Sequence, residues 1–163
     1  MDKKTRFTKL ITQNEGLIIK VASLYTNSQQ DQEDLFQEIV FQLWKSFDSF
    51  NDQSKISTWM YRVAMNTAIY NLKSIKKKVN TIPIETSAYH LPDEKDKSAE
   101  QRIRVLYDSL QILNLLDKGI ILLYLEGKNH QEIAEITGIS PSNVGTRIGR
   151  IKEKLKQQIT KTL

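Results

Sequence analysis

The chain has 163 residues, with 24 Lys+Arg against 19 Asp+Glu, two His and no Cys, for a formal net charge of +5. An apolar share of 39% and a charged share of 26% suit a chain that folds around one or two small cores rather than a disordered one. The lack of cysteine excludes a disulfide scaffold, a thiol nucleophile and every cysteine-ligated zinc or iron–sulfur site. With His90 and His130 as the only histidines, neither a metal centre nor a cofactor is expected.

The first residues, Met1 to Arg6, lead into no apolar run long enough for a signal sequence, and no stretch approaches the length of a membrane span. A cytoplasmic location is therefore expected. From Phe7, the apolar residues Leu10, Ile11, Leu17, Ile18, Val21 and Tyr25 recur at helical spacing and predict a first amphipathic helix. Asn27 and Ser28 offer caps. The acid-rich Asp31-Gln32-Glu33-Asp34 then opens a second helix where the macrodipole favours negative charge. Its apolar stripe, Leu35, Ile39, Leu43 with Phe36, Val40, Trp44 and Phe47, is broad enough for two neighbours. A polar loop, 50–55, separates it from a third helix with Ser57 as its expected N-cap, running through Trp59, Met60, Val63, Ala64, Ala68, Ile69 and Leu72.

Composition changes near residue 75. Lys76-Lys77-Lys78 is followed by Pro83, Pro92 and the mixed-charge run 93–97, which predicts a flexible linker over 76–101 between domains at 1–75 and 102–163. As a coil that linker has an r.m.s. span of roughly 30 Å and a limit of about 90 Å. Two domains so tethered can engage separate sites on one long ligand. Helices are expected at about 102–116, 117–126, 130–137 and 141–160, with no strand alternation anywhere. The fold class read from this pattern is all-α.

Residues 130–150 have the grammar of a helix-turn-helix. Ile133 and Ala134 face inward on a short helix, Gly138 can take the positive φ that ends it, and Ile139 plugs the corner. Ser140 can cap the next helix with Pro141 at its first position. Val144, Ile148, Ile151 and Leu155 form its buried stripe, leaving Ser142, Asn143, Thr146, Arg147 and Arg150 outward, residue types suited to base edges and phosphates. The last 24 residues hold six Lys and Arg against one Glu, which points to a polyanion. An ordinary helical hairpin with a solvated basic face is the bland alternative. Gly145 and Gly149 fit either a backbone that approaches DNA closely or merely tolerated positions.

Three segments in order, 31–47, 50–66 and 122–134, resemble the motifs of a bacterial RNA polymerase sigma factor of the small two-domain extracytoplasmic-function (ECF) group. The resemblance covers nearly the whole chain outside the linker and the first few residues. It implies that the acid-led helix meets the β′ clamp helices of core RNA polymerase through Asp34, Leu35, Gln37 and Glu38, with Trp44 either joining them or serving the core. The β subunit is a further implied partner. The loop and helix from Asn51 match the segment that captures an unstacked base of the minus-ten element, with Asn51, Ser54, Lys55, Arg62 and Asn66 as polar candidates. Trp59 and Tyr61 can support a base or fill the core. The helix-turn-helix matches the reader of the minus-thirty-five element, with Ser142, Asn143, Thr146, Arg147 and Arg150 as its contacts.

Two departures from the family pattern bear on base preference: Leu115-Leu116-Asp117 stands where Leu-Pro is usual, and Gly145 where a larger polar residue is common. The resemblance further implies a linker passing near the polymerase cleft, promoter DNA as ligand and an anti-sigma factor as regulator, with no catalytic residue and no small-molecule substrate. A regulator working without polymerase is the nearest rival. An enzyme using Asp93, Glu94 and Asp96 with a metal is a remote one, since no phosphate loop or nucleophile set is present. A helical adaptor is the rival that DNA binding would exclude.

Overall fold

A computed structural model describes residues 2–78 and 97–162; the proline-containing part of the expected linker, with His90 and the acidic 93–96, lies outside them. All regular structure among the described residues is helical. The chain divides into two units, Met1–Ala88 and Tyr89–Leu163.

In the first unit the apolar periodicity from Phe7 to Tyr25 is carried by two helices rather than one: α1, Lys3–Gln13, and α2, Glu15–Leu24. Asn14 makes the break. Its side-chain Nδ2 donates to the Leu10 carbonyl at 2.9 Å and its N–H reaches the Leu10 and Ile11 carbonyls at 3.1 Å, so the side chain competes locally with the helical ladder. The interruption is one residue long and leaves the apolar spacing almost intact, which hides it from a periodicity reading. Asp2 caps α1 by accepting from the Thr5 N–H at 2.8 Å, and the Thr5 hydrogen bonds hold its carboxyl below its ordinary 3.8. The capping interaction is thus complete at neutral pH and fades as the pH falls below the carboxylate range.

Ser28 caps α3, Gln29–Ser46, accepting from the Asp31 N–H at 3.1 Å, and Asp31 lies in the dipole-favoured first turn. A short 3-10 turn, Phe47–Ser49, ends it. The next helix, α4, Ile56–Lys78, begins earlier than the expected Ser57 cap: the Trp59 N–H bonds the Lys55 carbonyl at 3.2 Å, which starts the ladder at Lys55. It also runs three residues past 75. Helices α2, α3 and α4 pack on one another around Ile18, Val21, Leu24, Ile39, Leu43, Met60, Ala64 and Ala68, all essentially inaccessible. Helix α1 is pinned to this core by Phe7, whose ring meets Trp44 edge-on at 5.1 Å and Phe47 at 5.4 Å, and by Lys3, which pairs with Asp48 at 2.9 Å and lies over Trp44.

In the second unit α5, Lys97–Leu110, opens inside the expected linker and stops short of the expected 116. Bonds of the i to i+3 type at Gln111, Ile112 and Leu113 tighten its end, and Asn114 caps α6, Leu115–Leu125, through the Asp117 N–H at 2.8 Å. The break is set by that cap and by Leu113, which is turned into the core. Gly127, at φ +86°, closes α6 with the paired bonds Lys128 N–H to Leu123 and Gly127 N–H to Tyr124, both 3.0 Å. Helices α7, His130–Thr137, and α8, Pro141–Thr162, follow. Helix α8 is the spine of the unit, with α5, α6 and α7 all packed on it.

On α8, Gly149 is exposed and an added Cβ there would meet nothing within 4 Å. Gly149→Ala should therefore raise the stability of the second unit by about 0.5–1 kcal/mol through reduced freedom of the unfolded chain, read as a higher urea midpoint at unchanged slope.

Candidate nucleic-acid interface

The helix-turn-helix is assembled from local signals. Asn129 and Glu132 form a reciprocal capping box at the start of α7: the Asn129 side chain accepts from the Glu132 N–H at 2.8 Å, and the Glu132 carboxylate accepts from the Asn129 N–H at 3.4 Å. Gly138 ends α7 in the left-handed region, φ +82°. Ser140 accepts from the Asn143 N–H at 3.1 Å and so caps α8 one residue before Pro141. Ile133, Ala134, Val144, Ile148, Ile151 and Leu155 are buried between the helices, and the small Ala134 permits their close crossing. Ile139, expected to plug the corner, is only half-buried, while Ile136 near the end of α7 is 3% exposed.

Of the five residues expected on the outer face of α8, Ser142, Asn143, Thr146 and Arg150 are exposed. Arg147 is not presented outward. Its Nη1 donates to Asp117 Oδ1 at 2.9 Å, with the side chains 30% and 11% exposed, because α8 crosses α6 where Asp117 supplies a nearly buried carboxylate. The guanidinium therefore ties the reading helix to α6. Lys152 makes a second tie, donating to the Tyr124 hydroxyl at 2.7 Å with its ammonium over that ring.

In the first unit, the acid-led helix presents Asp34 and Gln37 to solvent and Glu38 half-exposed. Each of the two carboxylates accepts from a glutamine four residues away, Asp34 from Gln30 at 2.9 Å and Glu38 from Gln42 at 3.0 Å. Leu35, expected among the contact residues, is only 6% exposed and packs inward with Ile39 and Leu43, since it lies on the face that α3 turns to α2 and α4. Trp44 is half-buried in the Phe7 cluster. Missed by the sequence reading is Phe41, 52% exposed, one turn from Gln37 and Glu38 on the same outer face. Its signal was available: a phenylalanine seven residues after Asp34 falls on the polar side of the helix, not on the apolar stripe.

The loop before α4 holds Asn51 exposed and Ser54 half-buried. Asn51 accepts from the Gln53 N–H at 3.4 Å, and Asp52 sits at φ +59°, a rarely occupied conformation for a residue with a Cβ. Beside it runs an open groove lined by Arg6, Lys9 and Gln13 of α1, by the carboxylates of Asp48 and Asp52, and by Leu10, Phe47, Phe50 and Ile56. Arg6 and Lys9 were not among the sequence candidates. Lys55, just before α4, is exposed, as are Arg62 and Asn66, which at their spacing share one face of the helix. Trp59 and Tyr61 are 8% and 4% exposed and serve the core, Trp59 packed at a tilt of 36° against Phe50 with centroids 5.1 Å apart. The exposed aromatic of α4 is instead Tyr70, 72% accessible and one turn beyond Asn66. Among the described residues no group of three or more His, Cys, Asp or Glu could hold a metal, and no helix is long and apolar enough to cross a membrane.

Comparison with known proteins follows the same division of the chain. The family model for Sigma-70 region 2 matches residues 10–78, and that for Sigma-70, region 4 matches 103–155. The RNA polymerase sigma factor SigV of Bacillus subtilis is 30% identical over 98% of this chain and 97% of its own length. The ECF RNA polymerase sigma-E factor of Haemophilus influenzae is 31% identical over 97% of this chain and 89% of its own. Two solved structures share the fold. CnrH in complex with the cytosolic domain of CnrY has a TM-score of 0.70 at 18% identity, over 97% of this chain and 90% of that one. The sigma factor RpoE in complex with the anti-sigma factor NepR from Bartonella quintana has 0.73 at 16%, over 95% and 97%. With both regions present in order and relatives matched along almost their whole length, the chain belongs to the ECF group of RNA polymerase sigma factors.

Proposed function

We propose that the chain is a dissociable initiation subunit whose first unit binds core RNA polymerase and the opened minus-ten strand while its second reads the minus-thirty-five duplex. The observation that carries this reading is the coincidence of each sigma region with one helical unit, the second bearing a helix-turn-helix with a polar outer face on a strongly basic end. Ser142, Asn143, Thr146 and Arg150 are the upstream contacts, short polar groups and a guanidinium at the height of base edges and phosphates. Asn51, Ser54, Lys55, Arg62 and Asn66 hold the melted strand, with Tyr70 as a stacking surface for a base. Asp34, Gln37, Glu38 and Phe41 face the β′ clamp helices, an apolar anchor within a charged rim. The chain supplies recognition and the polymerase supplies catalysis, in the cytoplasm. An anti-sigma partner is proposed on the strength of the RpoE neighbour, solved in complex with the anti-sigma factor NepR.

The test is run-off transcription with purified core polymerase on a genomic fragment library, with and without the chain. Protein-dependent starts sharing two upstream elements are expected; binding to DNA without binding to core would replace this reading with that of a stand-alone regulator. Asp34→Ala combined with Glu38→Ala should weaken association with core at least tenfold in comigration assays while leaving the helical circular dichroism unchanged, because both carboxylates lie outside the core.

A further inference from the structure

Gly145 lies one turn after the exposed Ser142, next to exposed Thr146 and one turn before exposed Gly149. That face of α8 is poor in side chains, and at Gly145 the place of the missing one is taken. A Cβ built there would lie 3.3 Å from Cε1 and 3.4 Å from Nδ1 of His130. His130 is the first residue of α7, and it is exposed. The Nδ1–Cε1 edge of its ring thus occupies the space that a side chain at 145 would fill, with Nε2, bonded to Cε1, adjoining that edge. An imidazole placed against a bare stretch of a second helix presents a flat ring with a hydrogen-bonding nitrogen and has fewer rotamers to lose on binding than a side chain free on all sides. A donor or acceptor so placed discriminates base edges in the major groove, where each pair shows a different pattern.

We propose that His130 is a specificity-determining residue of the upstream reader, standing in from α7 for the side chain that Gly145 removes from α8 and contacting a base edge of the minus-thirty-five element. The inference rests on the reading of α8 as the helix that enters that groove. It also accounts for a glycine that costs stability within a 22-residue helix: a side chain at 145 would press on the ring.

The experiment uses holoenzyme assembled from core polymerase and the full chain, transcribing a promoter library randomised over the upstream element with the minus-ten element constant. Wild type, His130→Ala, His130→Gln and Gly145→Ala are compared by sequencing the productive templates. His130→Ala should reduce discrimination roughly five- to hundredfold at one base pair or two adjacent pairs and leave the rest of the element unchanged. His130→Gln, which keeps a donor and an acceptor, should shift that preference rather than erase it, and remains informative if the alanine variant folds poorly. Gly145→Ala should disturb the same positions by displacing the ring, with no added effect when His130 is already alanine. Wild-type base preferences in both His130 variants would overturn the inference, as would a uniform loss at all sequences with a shallower salt dependence, the mark of a phosphate contact. If wild type selects no upstream element, the reading of α8 itself fails and the inference falls with it.

Discussion

Replacing Ile39 by alanine is expected to remove about 2–5 kcal/mol from the stability of the first unit. The side chain has no accessible surface and lies mid-helix on the face that α3 turns toward α2 and α4. Deleting three carbons there loses their transfer free energy and leaves a cavity that three helices meeting at one point cannot easily close. A domain of this size is stable by only about 5–10 kcal/mol, so the variant should melt well below wild type and lose its cooperative urea transition at moderate denaturant. Ile39→Val, one methyl smaller, should cost about 0.5–1.5 kcal/mol. Phe41→Ala on the opposite face of the same helix is the control. At 52% exposure it should change the midpoint little and weaken association with core, so stability and binding separate on one helix.

Asp117→Ala should cost the second unit about 2–3 kcal/mol, more than truncating any exposed charge. The carboxylate is 11% exposed and its partner, the Arg147 side chain, 30%. Removing Asp117 strands a guanidinium whose Nε is already buried with no hydrogen-bond partner. A charge left unpaired in that position costs more than the pair itself contributes, and for that reason Asp117→Ala together with Arg147→Met should recover much of the loss. Urea titration of the four members of the cycle would show strong non-additivity. The pair also changes what Arg147→Ala should do. A guanidinium engaged with α6 is a positioning group, so its removal should lower stability and loosen α8, with less than a unit change in the salt slope of promoter binding.

Helix boundaries show where local information ran out. Ser28, Ser140, Gly138 and the basic end of α8 act within a turn of themselves, and each was legible because capping, positive φ and dipole effects involve neighbours in sequence. Asn14 is missed as a break, and the break at Asn114 is expected a few residues late, at 116–117, although the chemistry of both is equally local. The apolar spacing continues across Asn14, and periodicity weighs a one-residue interruption lightly. Ser57 has the residue type of a cap, yet the ladder starts at Lys55.

What the sequence by itself determined is the all-helical class, the helix-turn-helix with its buried stripe, and membership in a family whose three motifs stand in order. These depend on patterns within single helices and on motif succession. Only the tertiary structure decided which candidates reach the surface. Leu35, Trp59 and Tyr61 are drawn inward because α2, α3 and α4 meet on those faces; Phe41 and Tyr70 lie on faces turned to solvent. Arg147 is turned from the outer face by a carboxylate 30 positions away, and His130 reaches Gly145 across the turn. Such contacts depend on how two helices cross, and a crossing is set by the packing of both surfaces together, which neither helix encodes alone.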